Sequence, residues 1–276
     1  MDFRDYLRAI KEGLFSNQEQ MKNRFRQKET PPEVRPAAWI VEDLCAIKGN
    51  EWAIYAFSRE PLNGKFDDAA RFELTEKAFA CGDEMAQRYM NEKNSKDAVT
   101  LADRLGLKID YPEIPQSTAR VLFAEFVEPN NIYIYQDGTR RGNKLLAEPD
   151  VKAAFGGNVN ISSILLSHEL FHFIEREERK TIWTQTYRID LWAPPLLKNR
   201  SRVAVLSEIA AMGFAKRLAG IDFSPYVMDA FLVYGYSPQA ASALYEEMMK
   251  FAGRTPRSAL VEPQSSEQGG LNAYKI

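Results

Sequence analysis

Histidine is nearly absent from this chain, with two in 276 residues, His168 and His172. Any site built on three imidazoles is therefore excluded. Cysteine is equally scarce: Cys45 and Cys81 lie far from each other and from the histidines. They form no Cys-x-x-Cys pair and read as reduced, partly buried thiols. Charge of one sign is missing too. The net charge is −2, with basic and acidic residues interleaved, so no global field draws the protein to nucleic acid or to an anionic membrane. The short basic run "TRRGNK" (139–144) reads as a solvated loop. No apolar run approaches the ~20 residues that span a bilayer. The opening "MDFRDYLRAIKEGLF" carries charges every few residues, unlike a signal peptide. A cytoplasmic protein with no membrane contact and no direct nucleic-acid binding is expected.

What is present suffices for a sizeable core. Hydrophobic residues make up 45% and charged residues 27%, which is ordinary for a globular protein of one large domain or two small ones. Apolar spacing predicts helices over 3–15 and 37–48, and one long amphipathic helix over 66–92. A further helix over about 95–105 stops at Gly106. Segment 51–58, "EWAIYAFS", fits a strand or a short buried helix, and 59–65 is turn-rich. Short strands are expected at 107–113, 119–127 and 131–136, with "EPNN" as the hairpin turn between the last two. A helix over 161–178 follows, with Asn160 as its N-cap. A long aromatic connection (181–199) leads to helices over about 201–219, 224–234 and 237–251, and the polar tail 262–276 has little to bury. Helices, a small sheet, then helices again give an α+β, mainly helical fold.

Both histidines fall in "SHELFH" (167–172). Residues four apart on an α-helix stack on one face, so His168 and His172 can converge on one ion. Glu169 follows the first and points to the side, where it can reach a water on that ion. H-E-x-x-H thus supplies two metal ligands and a general base from one turn. A zinc ion lowers the pKa of its water toward ~7 and polarises a scissile carbonyl. Glu169 takes the proton and later passes it to the leaving amine. The alternative is a pair of solvent-facing helix histidines.

A third ligand must be a carboxylate. Glu175, Glu177 and Glu178 sit too close on the same helix to bend back. Asp190 in the connection is one candidate. Glu208 is the stronger, because it sits among Val205, Leu206, Ile209 and Met212, where a carboxylate needs a partner. The competing reading places Glu208 on a polar face near Lys216 and Arg217. The ligand set admits Zn2+, Mn2+ or another divalent ion. For the oxyanion, the candidates are Tyr187, Arg188 and Arg202.

With "HELFH" on one helix and "EIAAMGFA" (208–215) on a later one, the chain resembles the ImmA/IrrE family of metallopeptidases. Those carry H-E-[LI]-G-H and then E-x-x-A-N-x-F-A. Glu208, Ala211, Phe214 and Ala215 fall on the second pattern. "LADRLGLKI" (101–109), "NIYIY" (131–135) and "FLVYGYSPQAASALYEEM" (231–248) are similar to the family's flanking segments, so the likeness covers roughly 66–252. Phe171 stands where the family has glycine, and Met212 where it has asparagine. The resemblance implies a zincin-like, gluzincin-type fold with the metal between the H-E-x-x-H helix and the Glu208 helix. It implies a zinc endopeptidase acting on a protein or peptide, often a transcriptional repressor. Residues 1–65 then form an N-terminal helical segment of unknown role, 66–261 the peptidase domain and 262–276 a tail. "NIYIYQ" reads either as an edge strand beside the metal helix, able to pair with extended substrate, or as a plain core strand. The alternative, motivated by Phe171, is a catalytically silent metal-binding or interaction module.

Overall fold

A computed structural model describes residues 33–113, 122–192 and 199–258. The helix expected at 3–15, the start of the strand expected at 119–127, and the tail lie outside the described residues. The fold is mainly helical with a small sheet. Among the described residues no helix is long and apolar enough to cross a membrane.

Helix α1 (Ala37–Cys45) leads through a 3₁₀ turn, Gly49–Trp52, into α2 (Ala53–Phe57). Segment 51–58 is thus helical rather than extended. It is a buried plug, with Trp52, Tyr55 and Phe57 sealed from solvent. Helix α3 (Asp68–Glu92) starts where the Asp67 side chain accepts from the Ala70 N–H at 2.8 Å, satisfying one of the donors a helix start leaves open. Helix α4 (Ala98–Arg104) stops just before Gly106, whose φ of 73° suits glycine.

The sheet comprises β1 (Lys108–Asp110), β2 (Ala124–Val127) and β3 (Asn131–Ile134). Its order is β1-β3-β2, with β1 parallel and β2 antiparallel to β3. The strand carrying "NIYI" is therefore central, paired on both sides. Of the two readings, the free edge is corrected and the core strand holds: the edge beside the histidine helix is β2. A strand's own residues do not reveal its place in the sheet order.

The basic run 139–144 is also corrected. It lies in a helix, α5 (Gln136–Leu146). Gly138 and Gly142 press this helix against Phe123 and against Ile161 and Leu232; a Cβ at either would fall 2.6 Å from its nearest neighbour. Arg141 turns outward to Asp137 on the same helix at 3.2 Å, and Arg140 pairs with Glu113. Tertiary contact here overrides the low helix propensity of two glycines.

Helix α6 (Pro149–Ala154) precedes α7 (Ile161–Glu177), which carries both histidines. Asn160 caps α7 as expected, accepting from the Ser163 N–H at 3.0 Å. The aromatic connection holds a short helix α8 (Trp183–Thr186) and the strand β4 (Ile189–Trp192), which pairs antiparallel with β5 (Asn199–Ser201). Helices α9 (Val205–Ala219), α10 (Val227–Tyr234) and α11 (Pro238–Phe251) complete the chain.

Helix α9 is buried nearly all round. It lies between α3 and α7. Two glycines make the α3 contact close: a Cβ at Gly82 would sit 1.9 Å from the Ala210 carbonyl oxygen, and one at Gly213 2.5 Å from that of Phe79. Helix α1 packs on α6, α10 and α11. Ile40, Leu44, Trp52 and Phe57 share one core with Ile132, Leu170, Phe214 and Met248. Residues 37–65 thus belong to the same packed body as the histidine helix.

Candidate metal centre

Helix α7 passes under the sheet and beside α9. One turn places the two Nε2 atoms of His168 and His172 3.1 Å apart. Glu208, in the first turn of α9, brings Oε2 to 3.3 Å from His168 Nε2 and Oε1 to 3.6 Å from His172 Nε2. One ligand atom from each residue falls within 4.8 Å of the others. All three side chains are mostly sheltered, at 16%, 13% and 7% exposure for His168, His172 and Glu208. The solvent-facing readings of the histidines and of Glu208 do not match this burial. Arg217 instead pairs with Asp83, away from Glu208.

The start of α9 is fixed from a distance. The Val205 N–H donates to Glu60 Oε2 at 2.9 Å, and the Leu62 N–H donates to Glu60 Oε1 at 3.0 Å. Glu60 is buried, which pushes its carboxyl above the usual range while these backbone donors pull it down. An acidic side chain at a helix N-terminus is favourable, and this one anchors the turn that presents Glu208.

A second polar chain orients His172. The Ser207 hydroxyl donates to Glu175 Oε2 at 2.6 Å and lies 3.4 Å from His172 Nδ1. A hydroxyl has one proton, and here Glu175 takes it. The Ser207 oxygen can then accept from His172 Nδ1–H, and His172 Nε2 is turned toward His168 Nε2 and Glu208. Glu175 is also the acceptor for Thr184 Oγ1. Burial holds His172 below the usual imidazole value, with the Glu208 charge pulling the other way. It is therefore neutral near pH 7, the form that ligates a metal.

These facts test the fit of a metal ion. His168 Nε2, His172 Nε2 and the Glu208 carboxylate, all nitrogen and oxygen donors suited to a divalent cation, converge on one point. Ligand atoms held ~2.0–2.2 Å from a tetrahedral zinc lie roughly 3.3–3.5 Å apart. The two Nε2 atoms are 3.1 Å apart, and each reaches a different oxygen of the Glu208 carboxylate, at 3.3 and 3.6 Å, so the group lies near that spacing, with one atom from each residue within 4.8 Å of the others. The donor set suits Zn2+ and tolerates Mn2+.

Glu169 is buried beside the cluster. Its Oε2 accepts from the Phe126 N–H of β2 at 2.6 Å. Among the described residues its Oε1 has no hydrogen-bond partner. The outward N–H of the edge strand thus positions the acid and leaves one carboxylate oxygen free.

The remaining candidates separate clearly. Asp190 is exposed on β4 and pairs with Arg200 at 2.9 Å, away from the cluster. Glu177 pairs with Arg176, and Glu178 with Arg88 and the Tyr89 hydroxyl. Arg188 and Arg202 line a cavity with His172 and Glu208, whereas Tyr187 stacks on Trp183 at 5.3 Å. Phe171 is fully buried against Phe214, at 5.8 Å between ring centres, and is absent from the cavity wall. Burial pushes the Cys45 thiol up to about 12 and Cys81 to about 11, so neither supplies a thiolate near pH 7. Sequence reasoning missed Glu60 and the Ser207–Glu175–Thr184 chain. A serine just before the ligand Glu208 and a glutamate three residues after His172 were the only local signals.

No family model, no curated protein and no solved structure matches this chain.

Proposed function

We propose that this protein is a zincin-like, zinc-dependent endopeptidase of the ImmA/IrrE kind, hydrolysing a peptide bond in a protein or peptide substrate. The observation that carries the reading is the convergence of His168, His172 and Glu208 at metal-ligand spacing, with Glu169 beside them. His168 and His172 from α7 and Glu208 from α9 hold the ion. When bound, zinc activates water and polarises the carbonyl. The Phe126 N–H fixes one oxygen of Glu169, so the other takes the water's proton and delivers it to the leaving nitrogen. Burial of the site strengthens each of these interactions. The resemblance to ImmA/IrrE peptidases makes a transcriptional repressor the first substrate to try.

One observation favours a second reading, a metal-binding module without turnover: Glu169 is already engaged by β2. Two measurements decide. Purified wild type should carry about one zinc per chain, and Glu208→Ala should bind it at least tenfold more weakly, since a ligand is lost. Metal-loaded Glu169→Gln should keep the ion and lose roughly 10²–10⁴-fold in peptide cleavage. A wild type that takes up no zinc removes the enzyme reading. Zinc uptake without cleavage of any candidate substrate leaves the silent module.

A further inference from the structure

A cavity of about 250 Å³ opens directly from the metal centre, with His172, Glu208 and Ser207 on its wall. Its rim is cationic. Arg176, Arg179, Arg188 and Arg202 all line it, from three separate segments: the end of α7, the α8–β4 turn and the approach to α9.

The partners of these guanidinium groups show how much charge is left over. Arg176 is neutralised by Glu177 at 2.7 Å and lies over the Phe126 and Phe173 rings. Arg202 donates to the Gln185 side-chain oxygen. Arg179 donates to the Arg176 carbonyl at 3.1 Å, and Arg188 to the carbonyls of Gln185 and Tyr187 at 2.6 and 2.7 Å. Neither Arg179 nor Arg188 has a carboxylate within ion-pair distance among the described residues. The acids on the cavity wall do not cancel them. Glu175 is engaged by Ser207 and Thr184, Glu208 belongs to the ligand set, and Glu128 sits 4.0 Å from Arg176.

We propose that this pocket receives a carboxylate of the substrate, carried next to the bond that is cut. The inference rests on the peptidase reading and adds its specificity. Guanidinium forks match carboxylate geometry and form charge-assisted hydrogen bonds. The same rim repels a lysine or arginine side chain at that position, so selection works by exclusion as well as attraction. Phe126 and the arginine stems supply an apolar wall for the methylenes of a glutamate.

The test uses the zinc-loaded full chain and three peptide hydroxamates of one backbone, with calorimetric Kd as readout. The first carries a glutamate side chain next to the zinc-binding group, the second a glutamine, and the third a glutamine with a free C-terminal carboxylate. The glutamate or the free-terminus compound should bind about tenfold or more tighter than the neutral one. Which of the two does so tells side chain from chain end. In Arg179→Ala/Arg188→Ala, at two exposed positions, the charged and neutral compounds should bind alike. Equal binding of all three by wild type overturns the inference and leaves the peptidase reading standing. A preference undiminished in the double variant overturns it as well. Binding of none of the three, with zinc confirmed in the protein, removes the peptidase reading and the inference together.

Discussion

The two helices that meet at the metal centre are built in opposite ways. Helix α7 is assembled from its own neighbourhood: Asn160 caps it, and further along a single turn carries two ligands and the acid. Helix α9 owes its position to remote parts of the chain. Its first N–H is held by Glu60, 145 residues away, and its flank is pressed onto α3 through Gly82 and Gly213. A ligand on a locally specified helix needs only the helix. A ligand on α9 needs the whole body to be folded. The difference makes the third ligand the point at which stability and metal binding are coupled.

The sharpest way to break this asymmetry is at the α3–α9 contact. In Gly82→Ala the new methyl would lie 1.9 Å from a backbone oxygen, and no rotamer change relieves a backbone clash. The helices must separate, at a cost of about 3 kcal/mol or more. The urea midpoint should fall accordingly, and zinc affinity should fall with it because Glu208 moves with α9. Lost stability with unchanged zinc affinity would uncouple the two.

Next in size is the remote cap. Glu60→Ala strips the acceptor from two backbone donors, Val205 and Leu62. One buried donor left unsatisfied costs ~1–3 kcal/mol, so a loss of about 2 kcal/mol is expected in chemical denaturation. Hydrogen exchange should quicken in the first turn of α9 and stay unchanged in α7. Equal acceleration in both helices would contradict the separation drawn between them.

Ser207→Ala acts on orientation rather than on folding. It removes the oxygen that receives the Nδ1 proton of His172. Outer partners of ligating imidazoles typically contribute 10–100-fold in metal affinity. A drop of about tenfold is expected in competition with a chelator, with His168, His172 and Glu208 all still present. No change in affinity would mean that packing alone sets the His172 ring.

This contrast also explains what could be read from the residues in advance. Everything carried by α7 was local: H-E-x-x-H spacing, the Asn160 cap and the apolar helix around them. Glu208 was legible because a carboxylate among Val205, Leu206 and Ile209 demands a partner. Glu60 was hidden in a turn-rich connection, since nothing near it indicates a helix start so far along the chain. "TRRGNK" misled because Gly142 within it and Gly138 just before it serve tertiary contacts, with Ile161 and Leu232 and with Phe123, a reason that local propensity does not contain. "NIYIYQ" was legible as extended, but its residues could not choose between an edge and a core position, because order is decided by the pairing of β1 and β2 around it.

The smallest effect should come from the local cap. Asn160→Ala removes one side-chain acceptor from the Ser163 N–H, worth about 1 kcal/mol at an N-cap. The ligands sit more than one turn further along α7, and that helix is pinned downstream by Leu170, Phe171 and Ile174 in the core. Fraying should therefore stop short of His168. Denaturation should show the loss of about 1 kcal/mol, while zinc affinity stays within about twofold of wild type, under ~0.5 kcal/mol. A tenfold loss of zinc affinity would show that the histidine helix is as dependent on its end as α9 is on Glu60, and the asymmetry between the two helices would disappear.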